Sequence, residues 1–154
     1  MKTRSVVLTL AVCLVGLAMS FAQSPHMGTW KLNEAKSKIP AGVMKNTTVV
    51  YAAAGDSVKV TTDGVDGTGK AMQTEWTGKF DGKDYPLTGD PVADARSYKQ
   101  VNDHTLTVEQ KKSGKVVTTG KIVISADGKS RMLTTKSKDA AGKEVSASSA
   151  YDKQ

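Results

Sequence analysis

Few side chains in this sequence could do covalent or acid–base chemistry, and their spacing does not gather them. There are two histidines, His26 and His104, and one cysteine, Cys13. A nucleophile–base–orienter set needs a poised nucleophile beside its base, and no Gly-x-Ser-x-Gly elbow occurs. His26 lies in a short leader and His104 beside a turn, so each reads as a surface histidine. Asp84, Glu109 and His104 are the remaining acid–base candidates, and no spacing joins them. Asp63-Gly64-Val65-Asp66-Gly67 has a faint likeness to a calcium loop, but it lacks the later bidentate glutamate and the regular oxygen ligands. Asn46-Thr47-Thr48 is a glycosylation sequon, a three-residue match that chance supplies often. The sequence implies no catalytic set, no metal site and no cofactor.

Aromatic and polar groups on separate segments say more. Trp30, Trp76, Phe80, Tyr98 and Tyr151 fall on different strand-like runs. Facing inward, they would line one interior. Trp30 reads as structural, buried at one end of the domain, with its indole N–H given to a carbonyl of a neighbouring strand. Trp76 and Tyr98 suit either core packing or a ligand wall. Arg96, Tyr98 and Gln100 share one face of their run, and Val108 and Gln110 share one face of the next. If those faces look inward, their polar groups need partners, and a bound anionic or polar ligand can supply them. If they look outward, Ala95, Ser97 and Val101 are the inner set. The candidate ligand-binding residues are Trp76, Phe80, Arg96, Tyr98, Gln110 and Tyr151.

Strands must position these residues. Val58, Val60 and Thr62 alternate with polar neighbours. So do Met72, Thr74, Trp76, Gly78 and Phe80; Leu106 and Val108; Val116, Thr118, Gly120, Ile122 and Ile124; and Val145, Ala147, Ser149 and Tyr151. Such alternation gives each strand one core face and one wet face. Asp81-Gly82, Ser113-Gly114, Asp127-Gly128 and similar pairs supply hairpin turns. The connections are too short for crossover helices, so the sheet is antiparallel. The expected fold is an all-β, antiparallel up-and-down meander closed into a barrel of about 8–10 strands, since closure removes exposed edges. One helical turn is expected over residues 35–38, capped by Asn33. Longer loops are expected at 63–70 and 84–95.

The first 22 residues read as a signal peptide. Lys2 and Arg4 form a basic start, residues 6–19 are almost wholly apolar, and Ser20-Phe21-Ala22 is a cleavage site before Gln23. The domain then covers residues 23–154 and holds no cysteine, so disulfides and thiolate chemistry are excluded from it. The net charge of the chain is +7, and losing Lys2 and Arg4 lowers it to +5. Lysines are scattered singly, which suits a solvated basic surface better than a nucleic-acid site.

Gly28-x-Trp30 at the head of this all-β chain resembles the opening of lipocalins. Gly28-Thr29-Trp30-Lys31-Leu32 is similar to the opening of intracellular fatty-acid-binding proteins, and Tyr151-Asp152-Lys153 is similar to their ending. Both families are calycins, barrels that hold small apolar ligands. Fatty-acid-binding proteins carry an arginine two residues before the closing tyrosine, where this chain has Ser149. They also place two helices after the first strand, for which there is no room before Asn46. The resemblance implies a minimal exported barrel, periplasmic or secreted, that binds a small hydrophobic or amphipathic ligand without catalysis. No nucleic-acid partner and no membrane span after signal cleavage are expected, and the protein is expected to be a monomer. The alternative is a protein-interaction module, such as an inhibitor of a secreted hydrolase, that uses the loops at 63–70 and 84–95.

Overall fold

A computed structural model describes residues 24–139 and 141–154. The expected signal peptide, residues 1–22, lies outside the described residues. Ten strands follow a short leader: β1 (Gly28–Lys38), β2 (Lys45–Ala54), β3 (Ser57–Val65), β4 (Ala71–Gly78), β5 (Tyr85–Thr88), β6 (Ala95–Asn102), β7 (Thr105–Lys112), β8 (Lys115–Ile124), β9 (Ser130–Lys138) and β10 (Glu144–Lys153). Each pairs antiparallel with the next, and β10 pairs with β1, so the meander closes into the expected barrel. Among the described residues no helix is long and apolar enough to cross a membrane.

In a meander, successive connections alternate between the two ends. The β2–β3, β4–β5, β6–β7 and β8–β9 turns share one end, and the leader, residues 24–27, folds across it. We call this the closed end and the other the mouth. The alternating residues point as their spacing requires: Val58, Val60 and Thr62, then Thr74 and Trp76, then Leu106 and Val108, and Ala147, Ser149 and Tyr151 are all buried.

Four expectations are corrected. Residues 35–38 are not a helical turn; they belong to β1. Asn33 does accept a hydrogen bond from the Lys36 N–H at 3.2 Å, as a cap would. The extra residues are instead taken up as a bulge, Asn33 facing Ala150 and Lys38 facing Ser148. The Ser37 hydroxyl fills the interrupted ladder, accepting from the Ala150 N–H at 2.9 Å. Val116 is 50% exposed and Val117 packs on the core instead, because a register shift at Gln110/Lys111 swaps the faces there. The segment at 84–95 is not one loop but contains β5. His26 is not a surface residue, for it is 0% exposed.

Candidate binding site inside the barrel

The inner faces of the strands assemble two neighbouring clusters. The first is built on β4 and β6. Trp76 meets Tyr98 edge-on at 4.9 Å and Tyr85 at 5.7 Å. Phe80, just past the end of β4, lies 5.7 Å from Tyr98 and 6.4 Å from Tyr51 of β2. Such edge-to-face contacts suit the ring quadrupoles. Trp76 Nε1 donates to the Arg96 carbonyl at 2.8 Å, which leaves no indole donor free. Burial pushes the Tyr98 hydroxyl well above the usual tyrosine range, against the pull of the Arg96 charge.

Arg96 and Tyr98 face inward, and Gln100, farther along β6, is exposed. Ser97 on the opposite face is buried where the chain around Gly82 lies on β6, with the Gly82 N–H donating to the Tyr98 carbonyl at 2.8 Å. The Arg96 guanidinium is buried near the mouth end of β6. It donates to the Tyr98 hydroxyl at 3.3 Å. The Gln110 amide oxygen, across the β6–β7 ladder, accepts from Arg96 Nη2 at 2.6 Å and from Nε at 3.3 Å. Both partners are neutral. Among the described residues no carboxylate lies within ion-pair distance of Arg96. The buried Asp90 carboxylate accepts through Oδ1 from the Val92 and Ala93 N–H groups at 2.9 and 3.2 Å, and its Oδ2 lies 3.3 Å from the Gln110 amide, one side chain away from Arg96.

The second cluster sits at the closed end around Arg131 of β9, which is 4% exposed. Its guanidinium lies 4.8 Å from the Trp30 ring, 5.0 Å from Tyr51 and 4.7 Å from Tyr151. Three π faces stand in for a counter-ion, each contributing up to about 2 kcal/mol where water is excluded. Among the described residues Arg131 Nε and Nη1 have no hydrogen-bond partner. Tyr151 donates its hydroxyl to the Asn46 carbonyl at 3.1 Å, and burial pushes its pKa up to about 12.

Trp30 is buried as its place at the start of β1 implies, but its indole N–H goes to the leader, not to a neighbouring strand. It donates to the His26 carbonyl at 2.9 Å. Lys153 covers the other side, with Nζ 5.1 Å from the Trp30 ring and donating to the Pro25 carbonyl at 3.1 Å. Trp30 and Lys153 are paired across the β1–β10 seam. The two ends of the domain that carry the calycin resemblance are thus in contact.

At the mouth, the loops after β3 and β5 lie side by side. They bound an open groove of about 310 Å³ lined by Asp66, Lys70, Ala71, Met72, Gly89, Asp90 and Pro91. The Asp66 carboxylate does not face the groove as a free ligand set; it closes its own loop by accepting from the Thr68 and Lys70 N–H groups at 2.8 and 3.0 Å.

The six residues singled out from the sequence therefore divide. Trp76, Phe80, Tyr98, Arg96 and Gln110 form one connected set, and Tyr151 belongs to the Arg131 set. Of the acid–base candidates, Asp84 is held by Lys111 at 2.8 Å. His104 and Glu109 are five residues apart on one extended stretch, roughly 16 Å at about 3.3 Å per residue, and do not converge. Sequence reasoning passed over Arg131, Tyr51, Asp90 and the burial of His26. The parity of Arg131 with Leu133 placed it on the core face, a signal that its charge masks. No protein-family model matches the chain, and comparison with curated proteins gives no match.

Proposed function

We propose that this protein is an exported, non-catalytic binding barrel of the calycin type that holds a small, partly apolar ligand at its mouth. The observation that carries the reading is Arg96, a buried cation whose hydrogen bonds among the described residues go to neutral groups, with the Asp90 carboxylate held one side chain away. Burying a cation costs several kcal/mol unless something compensates it, and an acidic ligand group arriving from the mouth would do so. Arg96 does not itself line the mouth groove; Asp90 of its wall lies 3.3 Å from the Gln110 amide that faces Arg96. The groove is at the low end of the roughly 300–1,000 Å³ usual for small-molecule sites, so the ligand is small. Met72, Ala71 and Pro91 would take its apolar part, and Lys70 sets one positive charge against the Asp66 and Asp90 carboxylates that also line the groove. The extended signal-like start argues for a periplasmic or secreted setting, and the closed barrel, having no free edge, for a monomer.

Native mass spectrometry of protein purified from its host should show a co-purified small acid. A thermal-shift panel of amphipathic carboxylates should reproduce the stabilisation. Arg96→Met should weaken binding about tenfold or more, the loss of one charge-assisted hydrogen bond, and Met72→Trp should block the groove. Ligand-free protein that no member of the panel stabilises would sink the proposal.

The side-by-side loops favour a second reading, an interaction module that binds a secreted hydrolase through both. Shortening 66–70 should then abolish capture of a partner from periplasmic extract, and Arg96→Met, which leaves both loops in place, should leave that capture unchanged.

A further inference from the structure

We propose that residues 24–27 form a latch over the closed end of the barrel, held shut by a neutral His26 and released by acid. The latch has few ties. The His26 carbonyl accepts from Trp30 Nε1, the Pro25 carbonyl accepts from Lys153 Nζ at 3.1 Å, and the Met27 N–H donates to the Ser24 carbonyl at 3.1 Å. The His26 ring is driven completely out of water, edge-on to Phe80 with 6.1 Å between ring centres. Among the described residues neither ring nitrogen completes a hydrogen bond, although the Asp103 backbone carbonyl stands toward the ring.

The groups facing this ring all oppose a positive charge, save one. Arg131 approaches from β9, Lys153 from β10 and His104 from the β6–β7 turn, and only the Asp103 backbone carbonyl favours the charged form. A proton on His26 would therefore create a second dry cation beside Arg131, which has no carboxylate partner among the described residues. Desolvation first, and the Arg131 charge second, lower the His26 pKa from 6.5 to about 4.

The sign follows from linkage. The released ring regains its ordinary affinity for protons, so the open form binds one that the latched form refuses. Release gains ground as pH falls below 6.5, and the gain stops near 4, where the latched ring protonates too. Over that window the opening equilibrium moves by up to about two orders of magnitude, tenfold for each unit of pKa difference. Opening would bare the Arg131 cage from below without unpairing a strand.

The two indoles provide the test. Trp30 Nε1–H is tied to the latch and Trp76 Nε1–H to β6, so the ratio of their hydrogen-exchange rates in one sample cancels the intrinsic effect of pH. In the wild-type protein this ratio should rise about tenfold between pH 6.5 and 5. It should stay flat in His26→Phe, which keeps a ring beside Phe80, and in His26→Leu. A flat ratio in wild type, or an equal rise in both variants, overturns the proposal. A proton NMR titration of wild type needs no variant: a His26 ring titrating near 6.5 with the Trp30 indole still protected would overturn it as well.

Discussion

Trp30 and Arg131 touch, yet replacing them should have opposite consequences. Trp30→Ala removes a fully buried ring that two cations cover and that anchors the leader. The loss should be roughly 3–5 kcal/mol, a large part of the roughly 5–15 kcal/mol that holds such a domain together. Arg131→Met keeps much of the volume and removes a dry charge with two unpartnered nitrogens. A buried charge without a counter-ion is costly to keep out of water, so Arg131→Met should unfold in urea at or above the wild-type midpoint. A large loss for Arg131→Met would mean that the three rings over-compensate the cation. At this scale the sequence was half legible. Trp30 could be placed from its position at the head of β1, because a large ring on an alternating strand has one place to go. Its hydrogen-bond partner could not, since it depends on a leader with no periodicity. His26 was misjudged for the same reason: nothing in Ser24-Pro25-His26-Met27 signals that the segment folds under the barrel.

Strand by strand, alternation and turn residues located most elements, because each strand has a wet face that the sequence must write in polar residues; β2, β5 and β9 received no alternating set of their own. What alternation cannot show is a slip in phase. The bulge in β1 and the shift opposite Val116 both change which residues face in, and each is set by the partner strand. β5 was hidden because it is only four residues long and holds Pro86. Glycines report a related constraint. Gly55 turns the β2–β3 hairpin at φ 63°, and a side chain there would meet nothing. Gly89, after β5, has φ 77°, and a Cβ would collide with the Gln73 carbonyl oxygen. Gly55→Ala should therefore cost only the left-handed backbone penalty, about 1 kcal/mol. Gly89→Ala adds overpacking against rigid backbone, about 1–3 kcal/mol more. Urea midpoints of the two variants should differ accordingly, and Gly89→Ala should also disturb the mouth groove. Equal midpoints would mean that the loop after β5 gives way freely.

For the whole molecule the consequential feature is the β1–β10 seam, which turns ten strands into a ring. Beyond its ladder, the seam is tied by Asn33 Nδ2 donating to Asp152 Oδ2 at 2.7 Å and by the Gln154 N–H donating to the Thr29 carbonyl at 3.0 Å. Every strand then has two neighbours, and no edge is left to recruit another chain. Because each strand also follows its neighbour in sequence, the ring has no preferred starting point. Joining residue 154 to residue 24 through a short flexible linker and opening the chain at the exposed Gly142 should preserve all ten strand pairings. Exposed turn tips tolerate such cuts. The permutant should unfold in one cooperative urea transition with Trp30 and Trp76 as buried as before. Deleting residues 144–154 is the contrast: it strips β10 from the ring, bares the edges of β1 and β9, and takes Tyr151 and Lys153 from the closed end. That protein should self-associate in light scattering and lose the fluorescence of buried tryptophan. A permutant that fails to fold would show that chain order, and not closure alone, holds the barrel. A monomeric, native-like deletion would show that the seam is dispensable.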